Sequence, residues 1–357
     1  MRHFFLPYFC GMMDFLVVGM GLAGISFCEV LENNQRSFKV ISDRSQTSSV
    51  VAGGLYNPVT LKRFTLAWKA GEQLEMALPF YRQLEKKLKT ELLQDLPVLR
   101  KFVSVEEQNL WFEAADKPGL RAFLSPEVIL GHNENIEAPF GYGKVLGTGR
   151  MDTATLLTRY GQYLLGKNLL VQGTFDHKEL KIHGSYVEYG NIVARNLIFA
   201  TGFGLKDNPY FNYLPLNGTK GELLTIRAPR LKESMVIKSS VFIIPLGEDL
   251  YRVGATYNRD DKTNTPTEAS RSELLRKLDT FLKCPYEVVD HVAGIRPTVK
   301  DRRPLVGRHP QYGNLYVLNG LGSRGVIIAP MAAHQLYGYI VNNTPIDREM
   351  DISRFRP

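Results

Sequence analysis

Phe15-Leu16-Val17-Val18 followed at once by Gly19-Met20-Gly21-Leu22-Ala23-Gly24 constrains this chain more than any other stretch. Four apolar residues in a row suit a buried parallel strand. Gly19 permits a tight exit turn, Gly21 lets backbone approach a pyrophosphate, and Gly24 lets the following helix pack closely on the sheet. The N-terminus of that helix then offers unpaired N–H groups and the positive end of its dipole to phosphates. A glycine turn of this kind also occurs as a purely structural device, so its context matters. Ile25, Cys28 and Leu31 recur at helical spacing, Phe38-Lys39-Val40-Ile41 reads as a second strand, and Asp43 follows it where a carboxylate meets a ribose. That context favours a dinucleotide-binding loop, and an acid at 43 favours FAD or NAD over NADP.

The 357 residues, 44% hydrophobic and 22% charged, allow one large or two interleaved soluble domains. Cys10, Cys28 and Cys284 are widely spaced, and the seven histidines include no H-x-x-x-H pair, so neither a disulfide framework nor a metal site is expected. A reducing cytoplasm fits that cysteine usage. The stretch from Met1 to Met13 holds Arg2 and the apolar Phe4-Phe5-Leu6, which resembles a signal peptide superficially. Cleavage beyond the first strand would destroy the nucleotide fold, so either Met13 or Met12 is a candidate start. No run approaches the roughly 18 apolar residues of a membrane-spanning helix. The formal charge of +8 is spread over small groups, among them Arg302 and Arg303. Such groups usually form solvated faces, although a basic balance also favours anionic partners.

Leu74, Leu78, Tyr81, Leu84, Leu88 and Leu92 mark a long amphipathic helix with Pro79 as an expected kink. Asp152 is an N-cap for a helix reaching Gly166, and strands are expected near 169–171, 180–182 and 196–199. The last runs into Ala200-Thr201-Gly202, whose small residues allow a close ligand approach. Alternating segments fill 223–256, and Thr265-Pro266-Thr267-Glu268 is expected to open another helix as a capping box with proline at its first position. Near the end, Gly294-Ile295-Arg296-Pro297 leads through Lys300-Asp301 and Pro304 to a strand at 314–318. A second glycine loop, Gly320-Leu321-Gly322-Ser323-Arg324-Gly325, then opens a helix near Val326. Nucleotide-type halves at both ends with strand-rich sequence between them predict two discontinuous domains.

Taken in order, these elements resemble the D-amino-acid oxidase superfamily of FAD-dependent oxidoreductases, which includes glycine and sarcosine oxidases. The resemblance spans residues 15–342 and includes Ser48-Ser49-Val50-Val51-Ala52-Gly53-Gly54-Leu55-Tyr56-Asn57-Pro58. Gly294-Ile295-Arg296-Pro297 looks like glycine oxidase. The final glycine loop with Ala329-Pro330 looks more like the flavin domain of the bacterial bifunctional enzyme that trims a carboxymethylaminomethyl group on wobble uridine of tRNA. The implied fold is α/β: a Rossmann-like FAD-binding domain (13–75, 145–215, 290–345) with an inserted antiparallel-sheet substrate domain (76–144, 216–289).

The resemblance implies non-covalent FAD, since the cysteine nearest the last glycine loop, Cys284, lies before Gly294. It places the phosphates on Gly19, Gly21, Leu22, Ala23 and Gly24, the ribose on Asp43 beside Arg44, and the adenine on the backbone of Phe175. Ser49, Ala52, Gly53, Gly54 and Leu55 would pass the pyrophosphate and the flavin, with Ala200, Thr201 and Gly202 nearby. Residues 320–325, Gly320, Leu321, Gly322, Ser323, Arg324 and Gly325, would sit at the pyrimidine edge of the ring. The implied chemistry is hydride removal from a carbon bearing an amine, in a small amino acid or secondary amine. Arg296 is the candidate carboxylate anchor, with a structural ion pair to Asp301 as its alternative. Arg324 is a further candidate, although glycine oxidase carries its arginine one place earlier in that loop, where this chain has Ser323; Tyr56 and Tyr251 are candidates for the pocket lining, each with a packing role as its alternative. Oxidative trimming of modified tRNA is the second expectation.

Overall fold

Along the first strand, Met13–Val18, alternate side chains enter different cores: Phe15 and Val17 pack with the helix Leu22–Asn33, while Leu16 and Val18 join a cluster with Phe199 and Val317. A strand apolar on both faces belongs in the middle of a sheet covered on both sides. It does lie there, in a computed structural model that describes residues 11–355. The start-site question at Met1 falls outside them; Met13 is the first residue of this strand. Phe38–Ser42 flanks it on one side and Ile192–Phe199 on the other, both parallel, with Leu170–Gln172 and Leu315–Asn319 continuing the parallel set outward. Two antiparallel additions, from residues 181–189 and from Leu305–Arg308, complete eight strands. Ligands of such sheets bind at the C-terminal ends of the strands, where the order reverses. Gly19 and Thr201 occupy that edge.

A second eight-stranded sheet runs in the order Glu287–Arg296, Thr219–Arg227, Leu250–Gly254, Phe242–Gly247, Val236–Lys238, Val98–Lys101, Tyr142–Val145, Leu124–Ile129. Its neighbours are antiparallel except for Val236–Lys238 beside Val98–Lys101. One face carries Leu224, Ile226, Ile243 and Val253 against the helix Glu268–Asp279. The other carries Val98, Val236 and Ile244 toward Trp111 and Phe64.

Two local expectations need correction. The helix expected to reach Leu92 is Ala70–Leu88; it runs through Pro79 and stops because Lys89 turns left-handed, with φ of 51°. The helix after Pro266 starts at Glu268, so Thr267 and not Thr265 is the cap. Thr267 is extended, and its hydroxyl accepts the Ser270 N–H at 3.3 Å. The buried Glu222 carboxylate fixes Thr267 by accepting its N–H at 2.7 Å and its hydroxyl at 2.9 Å. Asp152 caps Thr153–Gly166 as expected, accepting from Thr155 N at 3.1 Å. No helix of the described residues is long and apolar enough to cross a membrane.

Candidate active site

A cavity of about 670 Å³ runs from the edge of the parallel sheet to the face of the antiparallel one opposite the helix Glu268–Asp279. Its floor is glycine backbone. Gly19, at φ of 102°, leaves no room for a side chain: a Cβ there would stand 2.5 Å from the carbonyl oxygen of Ala200. Both loops lie against the cavity, together with Gly21, Leu22 and Ala23 at the start of the first helix. The Ser49 hydroxyl crosses to the N–H of Leu22 at 3.5 Å and joins the segment 48–55 to the glycine loop.

At the far end, Asp43 accepts the Ser45 N–H at 2.9 Å and the Thr174 hydroxyl at 3.0 Å. Burial pushes its pKa up, but these hydrogen bonds outweigh burial and the carboxyl ends below its ordinary range. Arg44, Phe175 and His177 line the same end. The Phe175 ring stacks on the Tyr189 ring, with centroids 4.3 Å apart. This narrow, glycine-floored passage with an ionised acceptor at its end matches a dinucleotide, so the residues present fit FAD.

At the opposite end stands Arg296. Its guanidinium is largely buried and donates to the Thr256 carbonyl at 3.4 Å. Burial lowers its pKa, countered by nearby Tyr257, and a guanidinium so lowered still stays charged. The Asp301 carboxylate is engaged elsewhere, accepting from Arg354 Nε at 2.9 Å. Among the described residues Arg296 has no carboxylate partner. The walls around it are apolar: Val51, Leu223, Phe242, Ile244, Gly254 and Ala255.

The remaining candidates divide. Ala52, Gly53, Gly54, Leu55, Ala200, Thr201, Gly202, Leu321, Gly322, Ser323 and Gly325 line the cavity. Gly24 and Gly320 do not: a Cβ on Gly24 would lie 2.0 Å from the Gly19 carbonyl oxygen, and one on Gly320 would lie 2.6 Å from Val299 Cγ2, so both serve close packing. Arg324 turns its guanidinium to the Thr60 hydroxyl at 2.9 Å. Tyr56 is buried against Asp95 at 3.2 Å, and Tyr251 accepts the Glu233 N–H at 3.1 Å beneath the second sheet; neither lines the cavity.

Several contributors carried no readable signal in the sequence. Asn319 donates to the Gly202 carbonyl at 2.9 Å and the Gly322 N–H donates to Pro297 at 3.1 Å, so the two small-residue loops and the Arg296 strand are tied together. Gly221, Leu223, Phe242 and Ile244 come from strands whose alternation was legible but whose cavity-facing side was not.

Comparison with known proteins gives the same picture. The tRNA 5-methylaminomethyl-2-thiouridine biosynthesis bifunctional protein of Idiomarina loihiensis is 28% identical over 181 residues, covering 46% of this chain and 29% of that protein. Glycine oxidase of Bacillus subtilis is 27% identical over 160 residues, 43% of each chain. The chain thus spans under half the length of these curated relatives. Among solved structures, glycine oxidase from Geobacillus kaustophilus superposes with a TM-score of 0.80 at 16% identity, covering 97% of this chain and 98% of that one. Iminodiacetate oxidase from Chelativorans sp. BNC1 gives 0.76 at 18% identity, covering 94% and 98%. These likenesses show the shared fold. The model of the FAD dependent oxidoreductase family called DAO matches residues 14–337, nearly the whole described chain, and the protein belongs to that family.

Proposed function

We propose that this chain, with FAD bound non-covalently, oxidises the C–N bond of a small amino acid or secondary amine that carries a carboxylate. The observation that carries this reading is Arg296, a buried cation facing the cavity with no acid of its own. When bound, FAD supplies the hydride acceptor. Gly19, Gly21, Leu22 and Ala23 hold its phosphates, Asp43 its ribose, and residues 321–323 the polar edge of the ring. Arg296 binds the substrate carboxylate with two parallel hydrogen bonds and fixes which carbon faces the ring. Val51, Leu223 and Ile244 exclude water around that carbon, and a chamber with so little polar lining favours the neutral amine, which is the form that can release a hydride. Domain boundaries at 75, 145, 215 and 290 and a cytoplasmic location belong to the same proposal. The test is to mix purified protein with a panel of amines in the absence of oxygen. Bleaching by a carboxylated amine supports the reading, and no bleaching by any member defeats it.

One observation favours a second reading, oxidation of a modified base in tRNA. Arg302 lies within electrostatic reach of Arg324 and Tyr257, and Arg259 stands 5.7 Å from the Tyr257 ring, a basic group with no carboxylate partner among the described residues. Binding to tRNA that weakens steeply with salt, by roughly 0.7 log units per log of salt for each single-strand phosphate engaged, supports it.

A further inference from the structure

Pro330 sits in the second turn of the helix Gly325–Asn342. Proline has no backbone N–H, so the carbonyl four residues earlier, that of Val326, lacks its donor within the helix. Val326 lines the cavity beside the last glycine loop. Its carbonyl is buried but not unpaired: the Tyr81 hydroxyl, from the helix Ala70–Leu88, donates to it at 2.8 Å. A side chain from another helix thus supplies the hydrogen bond that the proline removes.

Tyr81 is fully buried. Burial pushes its pKa up, and the neighbouring Ser26 hydroxyl, from the helix Leu22–Asn33, pulls the other way. The phenol therefore stands between two helices near their starts. Those starts touch, since a Cβ on Gly325 would lie 3.2 Å from Leu22 Cδ1, and Leu22, Ala23, Gly325 and Val326 all line the cavity. The first turn of a helix carries unpaired N–H groups and the positive end of its dipole, and the effect falls off within that turn. Its hold on negative charge at the flavin edge depends on where the turn points.

We infer that Tyr81 is a positioning residue for the flavin: by pairing the Val326 carbonyl it holds the first turn of Gly325–Asn342 against the polar edge of the ring, and so sets the redox potential of bound FAD. This rests on the placement of that edge at residues 321–323 and not on amine oxidation. Without the hydroxyl a buried carbonyl is left unpaired, and a helix relieves such a group by bending or by admitting water. Either response turns the N–H groups away from the ring.

The midpoint potential of the FAD-loaded protein, read without substrate by anaerobic equilibration with a redox dye, tests this. Tyr81→Phe should bind FAD and lower the potential, because the reduced ring loses more stabilisation than the oxidised one. The expected change is about tenfold in the equilibrium constant for reduction, or about 30 mV for a two-electron couple. Pro330→Ala returns a backbone N–H to the Val326 carbonyl, so Tyr81→Phe combined with Pro330→Ala should recover the wild-type potential. An unchanged potential in Tyr81→Phe, or a shift that persists in the double variant, overturns the inference. Tyr160→Phe, which deletes a buried hydroxyl of the same core near Lys87, should leave the potential unchanged whatever its effect on the melt, and an equal shift there also overturns it. If Tyr81→Phe does not fold, the double variant decides: FAD-loaded protein with the wild-type potential supports the inference, and a shifted potential or no folded protein overturns it. Ser323→Asp sets a negative charge at residues 321–323 and should itself lower the potential. No shift there removes the placement of the ring edge, and the inference with it, whereas a shift there without one in Tyr81→Phe removes only the role of Tyr81.

Discussion

A Cβ on Gly221 would stand 1.9 Å from Nη2 of Arg296. The strand pairs Gly221 with Gly294, where a Cβ would in turn lie 2.7 Å from Val51 Cγ2, so two facing glycines create the space in which the guanidinium and the flavin-side segment meet. The arginine is the far end of a flexible side chain, so it can yield. Gly221→Ala should therefore fold and bind FAD, yet displace the anchor by about 1 Å or more. The specificity constant for a carboxylated amine should fall on the order of a hundredfold, the usual cost of such a misplacement. Steady-state kinetics beside a thermal melt check this; unchanged kinetics would show that Arg296 does not hold the substrate.

Asp43 tests the cofactor end. Asp43→Ala removes an ionised acceptor at the edge of the passage and should weaken FAD binding by about 1–3 kcal/mol. The carboxyl is held below its ordinary pKa, so its contribution is complete above the normal carboxylate range and lost only as pH falls through the depressed value. FAD titrations of wild type at pH 7 and pH 5 should accordingly agree in the part that Asp43→Ala removes. A contribution already gone at pH 5 would contradict the assignment.

Stability at acid pH turns on Glu32, which joins three helices. Its carboxylate meets Lys87, Lys167 and the Tyr163 hydroxyl. Burial raises its pKa, but the hydrogen bonds from Lys167, Lys87 and Tyr163 prevail and bring it down to about 2. A depressed carboxyl stabilises the fold above its unfolded pKa near 4.5 and loses that stabilisation as pH falls toward 2. Glu32→Gln should lower Tm at pH 7 by about 2–4 °C and make the melt less sensitive to pH between 5 and 3. Identical acid sensitivity in both proteins would contradict this.

Tyr56 and Tyr251 provide the contrast. Tyr56 packs over Gly149, where a Cβ would come within 2.1 Å of its hydroxyl, and Tyr251 belongs to the core beneath the second sheet. Tyr56→Phe and Tyr251→Phe should each change the rate of flavin reduction by less than about threefold, with any effect seen in the thermal melt. A large loss of rate at unchanged stability would return either residue to the site.

The cofactor end was legible because its chemistry resides in short contiguous runs. A phosphate loop needs glycines at fixed spacing, and Gly19, Gly21 and Asp43 carry that information without reference to the rest of the fold. The substrate end was not legible in the same way. Arg296 stood out through its motif, but Gly221, Leu223, Phe242 and Ile244 become neighbours only through strand register, and a shift of one residue would turn each to the opposite face. Arg324 was misplaced for a related reason: loop spacing puts it beside the ring, but its side chain reaches Thr60 instead. Thr267 took the cap expected at Thr265 because Glu222, from a distant strand, fixes its backbone.

The central claim is that Arg296 orients a carboxylated amine for C–N oxidation, and anaerobic rapid mixing of wild type and Arg296→Lys with matched amines, with and without a carboxylate, tests it most directly. Lysine keeps the charge but not the two-pronged geometry, so flavin reduction by the carboxylated amine should lose about 2–4 kcal/mol in its second-order rate constant, with bound FAD and the carboxylate-free amine unaffected. Equal reduction rates of wild type and variant at low concentrations of the carboxylated amine would contradict the account.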